Sequence, residues 1–201
     1  MRAAGSVVAG AMVAVGLALL PAAASADGFI TPFIGVNFGG AAGASLNTSL
    51  NDASKIDYGV AVRYMSHGVV GVEEEFSDSP NLYGSGTGYS SSSLLTLMTN
   101  VVLGIPVGGQ QGSGVRPYGV AGVGLVRQRL TAEPGFASVT GENAAWDLGF
   151  GVMGFFGRYV GLQGDIRYFR NFNGNSTSSG ISLAEGTFNT ARASIGIAFR
   201  Y

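Results

Sequence analysis

The chain of 201 residues has no cysteine and only one histidine, His67. The absence of cysteine excludes disulfide bonds and thiol catalysis, and a single histidine excludes a histidine-rich metal site. Charged residues make up only 11%, with a formal net charge of −1, so a nucleic-acid partner has no electrostatic support. Beyond the N-terminus no run of about 18 apolar residues occurs, which excludes a spanning helix there. What remains is a glycine-rich chain typical of an apolar soluble β-protein or a membrane β-barrel.

The first 26 residues have the features of a cleaved signal peptide. Arg2 supplies positive charge, Val7–Leu20 is a short apolar stretch, and Ala24-Ser25-Ala26 is a small-x-small cleavage pattern. An N-terminal membrane anchor is the alternative, but the apolar stretch is too short for one. We therefore expect cleavage after residue 26 and a single β-barrel domain over residues 27–201.

The rest of the chain predicts eight short strands separated by stretches rich in glycine, serine and asparagine. Their lengths, near ten residues, suit tilted strands that cross a bilayer. The sequence therefore predicts an all-β fold, an eight-stranded antiparallel up-and-down transmembrane β-barrel. The predicted strands are Phe29–Phe38, Asp57–Met65, Val69–Phe76, Leu94–Ile105, Val115–Arg127, Ala145–Phe155, Tyr159–Arg170 and Phe188–Tyr201.

The connections between these strands alternate in length. In outer-membrane barrels the long loops face outward and the short turns face the periplasm, so this alternation indicates the orientation of the chain. The long connections are Gly39–Ile56, Ser77–Ser93, Gln128–Ala144 and Asn171–Thr187, and the shorter ones are Ser66–Gly68, Pro106–Gly114 and Phe156–Arg158.

Within most strands, bulky apolar residues alternate with small or charged ones. In the seventh strand Leu162 and Ile166 share one face, while Asp165 and Arg167 share the other. Side chains fill the lumen of an eight-stranded barrel, and a uniformly bulky face would overfill it. We therefore expect the bulky face to contact lipid. The first and fifth strands are too rich in glycine for their faces to be assigned.

Charged residues on the small face predict an ionic cluster in the lumen. Glu73 and Glu75 share that face, and a buried ionic cluster must be paired to be tolerated. Asp147 is expected to lie opposite or diagonal to Arg167. Structural filling is the favoured interpretation, and a proton or ion pathway is the functional alternative. The predicted cluster is Arg63, Glu73, Glu75, Asp147, Asp165, Arg167, Arg192 and Arg200.

A register can be predicted for the second and third strands. A three-residue turn at Ser66–Gly68 pairs Met65 with Val69 and keeps both lipid faces on the same side. It also sets Arg63 opposite Gly71 and diagonal to Glu73 on the same face.

Glu74 is an anomaly in this pattern. It falls on the lipid-facing side between Val72 and Phe76, where a carboxylate is unfavourable. A bulge, a position near the headgroups or a protein neighbour is expected to relieve it.

No residue pattern in the chain indicates an enzyme. Gly149–Gly154 matches G-x-G-x-x-G, but this motif binds dinucleotides between a strand and a helix, whereas here it lies within a predicted strand. His67 is expected to be a polar residue of a periplasmic turn. We therefore predict no catalytic, cofactor-binding or metal-binding residue and no cofactor. An outer-membrane enzyme that uses carboxylates alone is a minor alternative.

Three segments carry a family resemblance: residues 31–40 (TPFIGVNFGG), residues 116–124 (RPYGVAGVG) and the C-terminal residues 193–201 (ASIGIAFRY). With them the chain resembles the small outer-membrane barrels of the OmpA-transmembrane-domain and OmpX-like type. Alternate apolar residues closing on a terminal aromatic resemble the signal read by the barrel-assembly machinery. Phenylalanine is usual at the last position, so Tyr201 departs slightly. The residues of this assembly signal are Ile195, Ile197, Phe199 and Tyr201.

The resemblance implies an integral protein of the cell outer membrane. Its expected partners are membrane lipid and, during insertion, the barrel-assembly machinery, and we expect a monomer. The sequence leaves open whether the loops bind a polysaccharide, a host surface or nothing. The family does not fix one function, because fold does not fix function. A structural or surface-interaction role through the long loops is favoured, and a small porin-like channel is the alternative. A soluble lipocalin-like binder is a third possibility.

Overall fold

The computed structural model describes residues 26–38, 56–80, 89–108, 113–132, 139–172 and 189–201. These residues form eight antiparallel strands, each paired with the next, and the last strand closes on the first. The predicted fold is therefore confirmed. None of the described segments is a helix long and apolar enough to cross a membrane. The strands are β1 (Ala26–Phe38), β2 (Ile56–Ser66), β3 (Val70–Pro80), β4 (Tyr89–Gly104), β5 (Gly114–Ala132), β6 (Val139–Phe155), β7 (Val160–Asn171) and β8 (Asn189–Arg200).

Four strands, β3 to β6, are longer at the loop end than the sequence predicted, each by at least four residues. The β5–β6 hairpin continues until Leu130 pairs with Val139, so much of the predicted connection Gln128–Ala144 is strand. Polar residues there had indicated a loop, but their backbone groups continue the ladder. Residues 39–55, 81–88, 133–138 and 173–188 of the long connections, and residues 1–25 of the predicted signal peptide, lie outside the described residues.

The register predicted for β2 and β3 is wrong, because the predicted pair of Met65 and Val69 is not formed. Ser66 pairs with Val70, and Arg63 therefore lies opposite Glu73. The turn contains His67 and Gly68, whose φ angles of 50° and 70° are left-handed. Because the chain reverses direction at these two residues, Ser66 remains the last residue of β2. The turn therefore consists of residues 67–69 and not of the predicted Ser66–Gly68. The lipid faces of both strands are unchanged, since the shift preserves parity.

Burial alternates along the strands as expected for a barrel with a filled lumen. On β7, Asp165 and Arg167 are buried, whereas Leu162 and Ile166 on the outer face are each 44% exposed. The two strands left unassigned by the sequence also alternate. Phe29 and Phe33 of β1 and Tyr118 of β5 point inward and are buried. The lumen thus contains bulky aromatic side chains as well as small and charged ones.

Candidate functional site

The lumen is filled in layers, and a charged layer lies between two apolar ones. Along β4 the inward side chains Met98, Asn100 and Val102 follow this order, with the amide between the two apolar groups. The apolar cluster at the end with the short turns, which is the expected periplasmic end, consists of Phe29, Met65, Val102, Tyr118, Val120, Met153, Phe155 and Ala198. The cluster nearer the loops consists of Leu94, Met98, Val126, Ala145 and Phe169.

Arg167 is the centre of the charged layer and is fully buried. Its Nη1 atom lies 2.8 Å from Glu73 Oε1 and 3.0 Å from Glu75 Oε2. Its Nη2 atom lies 3.1 Å from Asp165 Oδ2. Asp147 lies diagonal to Arg167, as predicted, with Oδ2 3.6 Å from Nη1. Because β3 and β7 are four strands apart in the closed order, the contacts of Arg167 with Glu73 and Glu75 join opposite walls.

Arg63 continues the charged layer toward the periplasm. Its guanidinium pairs with Glu73, and its Nη1 donates to Gln163 Oε1 at 3.4 Å. The Arg63 Cζ atom also lies 4.2 Å from the centre of the Tyr118 ring, a cation–π distance. One guanidinium therefore contacts three different strands.

Arg192 continues the layer toward the loops. Its Nη1 lies 2.8 Å from Asp57 Oδ2, and its Nη2 contacts Glu75 Oε1 at 2.5 Å. Its Cζ lies over the rings of Phe33 and Phe169, at 4.7 and 4.9 Å from their centres. The paired charges thus extend from β8 to β2 and β3.

Arg200 lies apart from these residues, which corrects its place in the predicted cluster. Its Cζ is 3.8 Å from the centre of the Phe155 ring and 5.6 Å from that of Phe29, at the periplasmic end of the lumen. Arg116 shares this end and pairs with Asp27 at 3.3 Å. Arg200 is on the same face of β8 as Arg192. It lies in a different layer because it is eight residues further along the strand, at the opposite end of the barrel from the long loops.

Several lumen residues are not among those predicted from the sequence. Asp57 has the same parity as Arg63 on β2, so the alternation used for Arg63 could have found it. Arg116 and Tyr118 were missed because glycines obscured the faces of β5. Tyr118 donates its hydroxyl to Asp165 Oδ2 at 3.0 Å.

Most glycines that face the lumen have no room for a side chain, although a Cβ atom on Gly141 near the loop end would meet its nearest atom only at 4.0 Å. A Cβ atom on Gly122 would overlap with Asn100 Oδ1, and one on Gly124 would overlap with the Leu97 carbonyl oxygen. By contrast, a Cβ on the outward Gly119 would meet its nearest atom at 3.8 Å. Most inward glycines therefore accommodate neighbouring groups and do not widen a pore.

A small cavity lies among described residues near the loop end of the barrel. It is lined by polar groups such as Asp57, Ser77 and Arg192 and by apolar Leu94 and Phe169, and it leaves room for about one water molecule. Within the described segments, no group of three or more His, Asp or Glu side chains is arranged to hold a metal ion.

The predicted assembly-signal residues lie at the end of β8 and beyond. Ile195, Ile197 and Phe199 are exposed on the outer face. The ring of Tyr201 covers Gly28, and its hydroxyl is hydrogen-bonded to that of Tyr64. The C-terminal aromatic is therefore also part of the junction between β8 and β1.

Comparison with known proteins gives one family and several similar structures. The family model for the outer membrane protein beta-barrel domain matches residues 11–200. Neisserial surface protein A (NspA) is similar with a TM-score of 0.59 and 13% identity, over 88% of this chain and 97% of that chain. The N-terminal β-barrel domain of Pseudomonas aeruginosa OprF gives 0.52 and 15%, over 87% and 97%.

A third similar structure is the attachment invasion locus protein Ail of Yersinia pestis, in complex with the heparin analogue sucrose octasulfate. It gives a TM-score of 0.53 and 12% identity, over 88% of this chain and 99% of that chain. At these identities the structural likenesses show the shared fold alone. Curated proteins gave no match to this sequence.

Proposed function

Because the chain belongs to the outer membrane protein beta-barrel domain family, we propose that it is a closed barrel that acts through its surface loops or by supporting the envelope, and that it does not conduct. Family membership gives the protein its location in the outer membrane, as the sequence resemblance implied. Family membership does not distinguish a structural or surface role from a channel, so we choose between them by the side chains that fill the lumen.

The pairing of Arg167 with carboxylates on the opposite wall is the observation that supports a closed barrel. Its Nη1 contacts Glu73 and Glu75 on β3 at 2.8 and 3.0 Å, and all three side chains are buried. An unpaired buried charge costs several kcal/mol, so these ion pairs resist separation. Open aqueous channels belong to barrels of about sixteen strands or more, whereas side chains can fill eight.

The two apolar layers add a second barrier to ions. An ion that enters from either side must pass buried groups such as Phe169 or Phe155, which offer it no hydrogen bonds. Most lumen glycines do not offset this barrier, because neighbouring groups occupy the space that a side chain would need.

A small channel is the second candidate, and the charges themselves favour it. The lumen carries ionisable groups from Arg63 to Arg192, and the cavity beside Asp57 lies near the loop end. Exchange of ion-pair partners could open such a path. We favour the closed barrel because Arg167 contacts four carboxylates at once.

We also propose that the protein is not an enzyme. The buried carboxylates that could act in catalysis are in ion pairs inside the lumen, and the cavity that the described residues form beside Asp57 leaves room for about one water molecule. Surface binding fits the fold, since Ail, a barrel of the same fold, forms a complex with a heparin analogue. The ligand of the loops in this chain is unidentified.

Single-channel recording tests the closed barrel. Purified protein in planar bilayers is expected to give no steady conductance. Reproducible open-channel steps that change in Glu73→Gln or Arg167→Gln would make the protein a small porin. Arg170→Gln is the matched control, because Arg170 is on the same strand but exposed at the outer surface.

A further inference from the structure

Three exposed arginines lie on the outer surface of the barrel toward its loop end. Arg127 and Arg129 are outward residues of β5, and Arg170 is an outward residue of β7. We call these three residues the arginine patch. It extends over three neighbouring strands, because β6 lies between β5 and β7. The outward residues of β6 at this end are Glu142, Ala144 and Trp146.

The stagger of the closed sheet fixes the height of each residue along the barrel. Register partners followed from Gly28 of β1 through all eight strands return to β1 at Phe38, ten residues nearer the loops. Strands of a barrel with this stagger are tilted by about 40° from the barrel axis. Each step along a row of partners therefore rises by about 3 Å, and each residue along a strand rises by about 2.5 Å.

By this measure the arginine patch is a compact group. The row of register partners through Arg170 passes Trp146 on β6 and Val123 on β5. Arg127 is four residues beyond Val123 in the direction of the loops, so it lies only about 4 Å further out than Arg170. Arg129 lies about 9 Å further out. Around the barrel, the backbones of Arg127 and Arg170 are about 13 Å apart, so two long side chains can reach one headgroup together.

An aromatic pair lies directly below the arginine patch. Trp146 and Tyr168 are outward residues of β6 and β7, and their ring centres are 5.8 Å apart. Further from the loops, the same two strands present Leu148 and Ile166, which are 57% and 44% exposed. Aromatic rings in this position are typical of the boundary between the hydrocarbon core and the headgroups. The arginine patch therefore lies at the level of the headgroups, and of the outer leaflet because the long loops face outward.

The charge of the outer surface at this level differs between two opposite walls. Among the described outward residues of β5, β6 and β7, Glu142 is the one acidic residue, and it lies 3.5 Å from Arg127 Nε. Both side chains of this pair are about half exposed, so the pair is weak. On the opposite wall, the described outward residues of β2 and β3 carry no arginine, and Tyr58 donates to Asp78 Oδ2 at 3.3 Å. The β5–β7 wall is thus suited to an anionic partner.

We propose that the arginine patch binds the phosphate groups of a lipid headgroup in the outer leaflet, with Trp146 and Tyr168 against the part of that lipid nearest its acyl chains. Guanidinium groups bind phosphate through two parallel hydrogen bonds and are more weakly hydrated than an ammonium group. The small side chain of Ala144 lies between Arg127 and Arg170 and leaves room for the headgroup. A lipid is favoured over a soluble anion because the patch adjoins the aromatic pair at the membrane boundary.

Lipid binding by the patch goes beyond the proposed closed barrel and does not depend on it, because every residue of the patch faces outward. A result on lipid binding therefore leaves the closed lumen untouched, and a result on conductance leaves the patch untouched.

Trp146 provides the readout for a test of lipid binding. It is the only tryptophan in the chain and the register partner of Arg170, so its fluorescence reports the lipid beside the patch. Brominated acyl chains quench tryptophan fluorescence on contact. The folded protein is reconstituted into phosphatidylcholine vesicles that contain a fixed minor fraction of a brominated lipid. This lipid is either phosphatidic acid, whose phosphate is exposed, or phosphatidylcholine, whose phosphate carries choline.

We expect the apparent affinity for phosphatidic acid at Trp146 to exceed that for phosphatidylcholine by at least about threefold. Arg170→Gln is expected to lower this preference, and the triple variant Arg127→Gln, Arg129→Gln, Arg170→Gln is expected to remove it. Arg158→Gln is the matched control and should leave the preference unchanged, since Arg158 is an exposed arginine at the opposite end of the barrel. Added salt should weaken the preference of the natural chain, because it screens exposed charges.

Equal quenching by the two lipids, or a preference that the triple variant retains, would overturn the proposal. An equal loss in Arg158→Gln and Arg170→Gln would also overturn it, because net charge alone would then attract the lipid. A stronger response of Trp146 to inorganic pyrophosphate than to phosphatidic acid would assign the patch to soluble anions and overturn the lipid. The substituted side chains are exposed, so the variants are expected to fold, and only heat-modifiable, folded protein is counted.

Discussion

Arg167 of β7 and Glu73 of β3 meet across the width of the barrel, with Nη1 2.8 Å from Oε1 and both side chains buried. The same arginine contacts Glu75 and Asp165, so one guanidinium neutralises acids from two walls. We therefore expect this contact to stabilise the barrel, and it supports the proposed closed lumen.

Arg167→Ala is expected to lower the free energy of unfolding by about 3–5 kcal/mol, because it leaves buried carboxylates such as Glu73 without their counter-charge. Urea titration of the folded protein, followed by the heat-modifiable gel band, measures the change. Arg170→Ala removes an exposed arginine from the same strand and should change stability by less than about 0.5 kcal/mol. Equal effects of the two variants would show that the ion pairs contribute little.

Gly124→Ala is expected to destabilise the barrel by about 1–3 kcal/mol, since the new methyl group would overlap with the Leu97 carbonyl oxygen and the Met98 side chain. Gly119→Ala on the same strand faces outward, where the nearest atom is 3.8 Å away. It should be neutral or stabilise by up to about 1 kcal/mol, because alanine loses less backbone freedom on folding. Urea titration in detergent separates the two, and a tolerated Gly124→Ala would mean that the lumen has free space at this level.

Thr99→Val is expected to cost about 1–3 kcal/mol, because Glu74 loses the hydroxyl that hydrogen-bonds its carboxyl group. Glu74→Leu should be neutral or stabilising, because it removes a carboxyl group from the lipid-facing side of β3. The double variant should then be close to the natural chain. A double-mutant cycle from urea titrations measures the coupling between the two residues. A coupling near zero would contradict the structural contact.

Tyr201→Phe is expected to assemble as well as the natural chain, because the ring that covers Gly28 is retained and phenylalanine is usual at this position in similar barrels. Tyr201→Ser removes the ring and should lower the folded fraction in the outer membrane severalfold. Heat-modifiable mobility of outer-membrane fractions measures this fraction. Tyr159→Ser, at an exposed aromatic beside a periplasmic turn, is the control. Equal losses at both positions would remove the special role of the C-terminal residue.

The sequence by itself determined the architecture and which residues of most strands face the lumen or the lipid. It also assigned Glu73 and Glu75 to the lumen and Glu74 to the lipid-facing side. These properties are local: a strand alternates its side chains with period two, so residue type along one segment suffices to assign faces. The same rule set Asp165 and Arg167 on one face, and both are buried.

Strand pairing depended on information that no single segment contains. Only the structure placed Arg63 opposite Glu73, because the register follows from the left-handed conformation of His67 and Gly68 in the turn. The faces of β1 also required the closed barrel, since glycines hide the alternation there and Phe29 packs inward.

Contacts across the lumen were decided by tertiary structure alone. Arg167 reaches Glu73 because eight strands close at a diameter that two side chains can span, and Arg200 is separated from it by its height along the barrel. Closure and stagger belong to the whole sheet, because they are set by the register of every strand pair together. The sequence therefore determined which charges face inward, and the closed sheet decided which of them meet.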